Sequence, residues 1–170
     1  IVSHWRRLGG DLPTVCFATS IAHSKHIVEE FNAAGIPAEH LDAYTGREER
    51  KDILGRVTSG KTRVISNVAL LAEGWDFPAC GVMVLARPTK SLIRWIQMVG
   101  RVLRPYPGKE RAIVLDHSGS AAHLGYPTDD LPLKLDDGSP KKPGTGREME
   151  PPKPKKCPSC AYLKPPGVHA

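Results

Sequence analysis

Residues 97–105 read "QMVGRVLRP". Two guanidiniums, Arg101 and Arg104, stand three residues apart behind Gly100, and Gln97 stands three residues before that glycine. On a helix, positions three apart share a face, so both arginines can address one anion. A guanidinium presents a planar fork of donors that fits phosphate or carboxylate oxygens. Gln97 lies one turn back on the same face, where it can orient a water or bridge to another domain.

The surrounding segment, "TKSLIRWIQMVGRVL", predicts a helix with Leu92, Trp95, Ile96 and Val99 on one side. It follows "CGVMVLA", an apolar run without alternation, as expected of a strand covered on both faces. Further strands are predicted at "TVCFA" (14–18), "IPAEHLDA", "TRVISN" and "RAIVLD". Between them lie a helix capped by Ser20, with an apolar face through Ala22, Ile27, Phe31 and Ala34 and a stop at Gly35, and a charged helix in "GREERKDILGRVTSG". "VALLAEG" is expected to be a short helical piece. Strands alternating with helices predict an α/β fold with a parallel sheet. Its sites are expected in loops 18–24, 43–47, 66–76, 86–91 and 116–120, beyond the carboxyl ends of the strands.

The 170 residues suffice for one domain with a core, plus a tail. The domain is expected at 1–125. Residues 126–156 read as an extended segment and a Pro/Lys-rich linker, flexible from about 138. Residues 157–170 form a CxxC segment. The net charge of +6 suggests an anionic partner, but its distribution weakens that inference for the body. Residues 1–140 hold 17 basic and 16 acidic side chains, and 141–156 hold six and two. No apolar run approaches the roughly 20 residues of a membrane helix. The start, "IVSHWRRLGG", has neither a signal-peptide core nor a Met, so the chain reads as an excised piece of a cytoplasmic protein.

Upstream of the arginines, "SNVALLAEGWDFP" (66–78) adds Gly74, which allows close backbone approach to a ligand, and Asp76, whose carboxylate can accept from ribose hydroxyls. Together these segments resemble the second RecA-like domain of superfamily 2 helicases. "SNVALLAEGWDFP" is similar to motif V of that family, "QMVGRVLRP" to motif VI, "VCFATSIAHS" to motif IV and "YTGREER" to motif IVa. The resemblance covers about residues 1–120. It implies a RecA-like sheet sandwiched by helices and an ATP-dependent motor. By resemblance, Arg101 and Arg104 act as arginine fingers on ATP held with Mg mainly by an N-terminal RecA-like domain, and Gln97 meets the γ-phosphate or its water. Gly74, Asp76 and Gly100 would border the nucleotide. Ser20, Arg50, Ser66 and Asn67 would hold the backbone of a nucleic-acid strand, contacts that fix register without reading sequence.

Ser66 stands where many relatives have Thr, Glu73 where DEAD-box RNA helicases often have Arg, and Gln97 where they have His. These departures point to the RadD-type and type III restriction "Res"-like branch, and so to DNA rather than RNA. The sequence contains neither a G-x-x-x-x-G-K-[ST] loop nor a DExx motif. "SGKT" (59–62) lies between a helix and a strand, the reverse of the P-loop order. The chain is therefore expected to be half of a composite ATPase, inert alone. The alternatives are a non-enzymatic RecA-like module that binds nucleic acid or protein, and the motor part of a restriction enzyme.

Cys157 and Cys160 form a CxxC pair, half of a zinc ribbon, with His169 as a third candidate ligand. Cys16 and Cys80 read as buried thiols. His4, His23, His26, His40, His117 and His123 read as surface residues, Asp116 as a helix cap, and Trp95 as core. Trp75 is the tryptophan retained as a candidate contact.

Overall fold

The computed structural model describes residues 1–68, 70–71 and 75–129, with the backbone at 155–156 and 163–164. The chain divides into two units, Ile1–Ser120 and Ala121–Ala170.

The first unit runs α1 (Val2–Leu8), β1 (Thr14–Phe17), α2 (Ile21–Ala33), β2 (Ala38–Leu41), α3 (Arg47–Thr58), β3 (Val64–Asn67), β4 (Val82–Leu85), α4 (Leu92–Gly100) and β5 (Ile113–Asp116). Its strands form one sheet in the order β2-β3-β1-β4-β5, and every neighbouring pair is parallel. Leu41, Asn67, Phe17, Leu85 and Asp116 stand level across it. The loops that follow them therefore leave from one edge.

Every residue of β1, β3 and β4 is buried, which explains their lack of alternation. The core gathers Trp5, Ile27, Phe31, Val64, Val82 and Val84. Trp5 meets Phe31 edge to face at 5.6 Å between ring centroids. Its indole N–H donates to Thr14 Oγ1 at 2.6 Å, so the buried polar end has a partner. Trp95 is buried as expected. Among the described residues no helix is long and apolar enough to cross a membrane.

The helix signals in the sequence act as expected at α2. Ser20 Oγ accepts from the His23 N–H at 3.2 Å, and Gly35 follows the helix in the left-handed region at φ +75°. The buried face differs: Ala22 is exposed and Ser24 is buried among the apolar residues. The helical piece expected at 68–74 is not a helix at its described residues, Val68, Leu70 and Leu71. Asn67 Oδ1 takes the Leu71 N–H at 3.1 Å, so a side chain substitutes for the backbone acceptor. The helix expected through residue 103 ends at Gly100. The next turn is tighter, with Arg101 N–H bonded to Met98 O and Val102 N–H to Val99 O. Pro105 disfavours helical geometry in the residue before it, so no further helical turn follows.

In the second unit, helix α5 (Ser120–Leu124, its first residue belonging to the first unit) is followed by Gly125, whose N–H bonds Ala121 O. Strands β6 (Lys155–Lys156) and β7 (Leu163–Lys164) pair antiparallel. Most of the expected linker and tail, including Cys157, Cys160 and His169, lies outside the described residues.

Candidate functional site

The residues singled out in the sequence fall into two groups. The first sits at the carboxyl edge of the sheet. Ser20 follows β1, and Ser66 and Asn67 end β3. The second lies on the return path from that edge to the start of β4, where residues 75–78 meet the turn after α4 and Lys109.

In the second group, Arg104 Nη1 is ion-paired with Asp76 Oδ1. Arg101 Nη1 donates to the Trp75 carbonyl at 2.9 Å. Both arginines reach the same short segment, but not as expected. Arg101 is the C-cap of α4 and Arg104 lies beyond the helix, so the tightened turn rather than a shared helical face brings them together. Lys109 holds this arrangement from below. Its ammonium donates to Pro78 O at 2.9 Å and to Arg104 O at 2.7 Å, tying the two segments to each other. Burial holds its pKa below the ordinary lysine range. Trp75 packs against Phe77 with centroids 5.5 Å apart. Gln97 is half-buried on α4, and Gly100 closes that helix. Gly74 lies outside the described residues.

At the carboxyl edge a buried polar chain links three elements. Ser66 Oγ meets Ser24 Oγ at 2.7 Å, and Ser24 Oγ meets His40 Nδ1 at 2.7 Å. His40 Nε2 meets Asp42 Oδ2 at 2.9 Å. With Nε2 protonated, every link runs donor to acceptor in one direction, from Ser66 to Asp42. The other carboxylate oxygen, Oδ1, accepts the N–H groups of Tyr44 at 2.9 Å and Thr45 at 3.0 Å. The hydrogen bond from His40, helped by the Tyr44 amide and the Thr45 hydroxyl, holds the Asp42 carboxyl below the usual carboxylate range.

Of the expected strand contacts, Ser20 and Arg50 reach the surface, while the side chains of Ser66 and Asn67 do not. Ser66 belongs to the buried chain. Asn67 donates to Cys16 O at 2.8 Å and accepts from Leu71, which uses its amide internally. These two side chains shape the edge from within. Arg50 is half-buried, with Nη2 3.5 Å from Thr45 O and a buried Nε that has no hydrogen-bond partner.

His40 is not the surface residue the sequence suggested: its side chain is 14% exposed and fully engaged. His117 is exposed, as expected of a surface residue; it stacks on His4 at 5.3 Å between centroids, and partial desolvation lowers its pKa. Asp116 Oδ1 accepts from the N–H and hydroxyl of Ser118. Cys16 and Cys80 are buried, and desolvation pushes each thiol up to about 12. No group of three or more His, Cys, Asp or Glu among the described residues could hold a metal. Ser24, His40, Asp42, Tyr44 and Lys109 are the residues that sequence reasoning missed. A serine on a helix face that packs into the core, and a histidine two residues before an aspartate at a strand end, were the available signals.

Residues 8–106 match the family described as helicase conserved C-terminal domain. The chain belongs to this superfamily 2 helicase family. Its five-stranded parallel sheet is the RecA-like fold, shared with the C-terminal domain of the DEAD-box protein Dbp5 at a TM-score of 0.58 and 18% identity, over 72% of each chain. A 51.5 kDa protein of a Lactococcus phage is 32% identical over 97% of this chain and 36% of its own length. The Saccharomyces cerevisiae protein provisionally named ATP-dependent helicase IRC3 is 32% identical over 64% of this chain and 16% of its own. The chain thus spans about a third of the length of the first relative and less of the second.

Proposed function

We propose that this domain is the second motor unit of an ATP-dependent superfamily 2 helicase or translocase, acting with an N-terminal RecA-like domain that carries the P-loop and the DExx carboxylates. The observation that carries this reading is the convergence of Arg101 and Arg104 on Trp75 and Asp76. Two guanidiniums are held at one place by a half-buried lysine clamp, next to a carboxylate.

In the closed pair of domains, Arg101 and Arg104 face the β- and γ-phosphates and stabilise the charge that develops as the γ-phosphoryl group leaves. Gln97 orients the attacking water, and Gly74, Asp76 and Gly100 border the nucleotide. At the carboxyl edge, Ser20 and Arg50 hold the sugar–phosphate backbone of the tracked strand, over a surface shaped by Ser66 and Asn67. Domain closure on ATP and reopening after hydrolysis would move the strand past these contacts. Glu73 and Gln97, where DEAD-box RNA helicases often have Arg and His, favour DNA as the strand. The isolated domain would be inactive, because neither a P-loop nor a DExx motif is in its sequence. The antiparallel pairing of β6 and β7 on either side of Cys157 and Cys160 supports a zinc-bound tail, which zinc content of the full-length protein with and without Cys157→Ser tests.

The deciding experiment is steady-state ATP hydrolysis by the full-length protein with Arg101→Ala and Arg104→Ala. Loss of turnover with an unchanged melting temperature is expected. Wild-type turnover in either variant would sink the arginine-finger assignment, and no turnover in the unmutated full-length protein would leave a non-enzymatic binding module.

A further inference from the structure

Tyr44 is 86% exposed, more than any other large hydrophobic side chain among the described residues. Single exposed apolar residues are ordinary on protein surfaces and need no explanation. The anchorage of this one is unusual. Its own N–H is fixed by Asp42 Oδ1, and the next N–H by the same atom. Thr45 Oγ1 accepts the Asp42 N–H at 3.0 Å, closing the loop from the other side. The second Asp42 oxygen is held by His40, which is held by Ser24, which meets Ser66. A buried hydrogen-bond chain that begins under β3 thus ends by immobilising the main chain beneath a ring that packs on little.

The loop sits beyond the carboxyl end of β2 and leads directly into α3. There Arg47, Arg50 and Lys51, spaced i, i+3 and i+4, lie on one face, while Glu48, Glu49 and Asp52 lie on the others. A fixed aromatic ring on a loop that leads into a helix face of cations is an arrangement by which proteins hold single strands. The cations follow the phosphates, and the ring offers its π-face to a base without regard to sequence.

We propose that Tyr44 is a stacking platform for an unpaired nucleobase of the bound strand, set in place by the Ser66–Ser24–His40–Asp42 chain. This rests on the reading of the carboxyl edge as the strand-binding face and adds a base contact to the backbone contacts given above. The ring fixes where a base sits, so it limits slippage of the strand while the domains open.

The test is fluorescence anisotropy of the full-length protein with labelled single strands of roughly 20 nucleotides. The strands are oligo-dT, oligo-rU and a sugar–phosphate strand of the same length that carries abasic sites. Tyr44→Ala is expected to weaken binding of the strand the protein prefers by about tenfold, while Tyr44→Trp stays within about threefold of wild type. On the abasic strand, wild type and Tyr44→Ala should bind equally, because the ring then has nothing to stack on. The dT and rU arms show which sugar the face accepts. His40→Ala, which frees the loop, should reproduce part of the Tyr44→Ala loss on base-bearing strands alone. Equal loss on base-bearing and abasic strands would overturn the proposal, as would unchanged affinity of Tyr44→Ala on base-bearing strands. Wild type failing to bind any strand would overturn the strand-binding reading itself, and the stacking proposal with it.

Discussion

Arg104 and Asp76, 28 residues apart in the chain, are joined as an ion pair, and Arg101 donates to the carbonyl of Trp75, the residue before Asp76. The sequence reading had given these groups to opposite ends of a nucleotide, the arginines to its phosphates and the aspartate to its ribose. In the domain by itself they hold each other. An arginine that is to reach a phosphate must therefore leave or share Asp76, and three of the following predictions concern this cluster.

Replacing Arg104 by Ala in the full-length protein should lower ATP turnover by about 10³-fold or more, the scale on which such arginines act in phosphoryl transfer. Arg104→Lys should recover little of it, because an ammonium lacks the planar fork. Steady-state turnover, measured beside thermal melting, checks both.

The Arg104–Asp76 pair is solvent-exposed, at 36% and 75% of the two side chains. Surface pairs of this kind contribute about 0–1 kcal/mol. Asp76→Asn should therefore shift unfolding in urea by no more than about 1 kcal/mol. A rise in KM for ATP in the same variant would mark the carboxylate as part of the nucleotide site; an unchanged KM would leave it a partner of Arg104 only.

Lys109 joins two segments through the carbonyls of Pro78 and Arg104. Lys109→Met keeps the stem and removes the donors, leaving both oxygens short of a partner. The expected cost is about 1–3 kcal/mol in urea unfolding, against about 0.5 kcal/mol or less for the same change at the exposed Lys61. Turnover of the full-length protein should fall as well, since the turn that carries Arg104 loses its anchor.

The Asp42 carboxyl is held below its ordinary value by the hydrogen bond from His40, with the Tyr44 amide and the Thr45 hydroxyl adding to it. A carboxyl whose folded pKa lies below its unfolded value of roughly 3.9 adds stability above that pH. It loses that stability as pH falls through the folded value. The stability difference between wild type and Asp42→Asn should therefore be full at neutral pH and shrink below about pH 4. Chemical denaturation at a series of pH values reads this directly, and a gap that does not change with pH would show that the charge on Asp42 plays no part.

Much of this architecture was legible beforehand, and the reasons are local. "TVCF" and "VMVL" are apolar without alternation because parallel strands are covered on both faces. Ser20 and Gly35 bound α2 through their own side-chain and backbone chemistry. The end of α4 was harder to read, because the apolar period continues through Leu103 while the backbone turns at Gly100 ahead of Pro105. At the described residues of 68–74 the expected helix is absent for a similar reason: Asn67 supplies the acceptor that a helix would have taken from the backbone.

By itself, the sequence determined the α/β alternation, the family motifs and the identity of the two arginines, all properties of residue type and of spacing along the chain. Only the tertiary structure decided what those residues touch. Ser24, His40 and Ser66 come from three different elements, and no periodicity can announce that their side chains meet in one buried line. The pairing of Arg104 with Asp76 likewise depends on where a turn after one helix and the chain leading into β4 come to lie. Hydrogen bonds and ion pairs act over a few ångströms, so partners far apart in sequence become neighbours only when the packed sheet fixes the path of the loops between them.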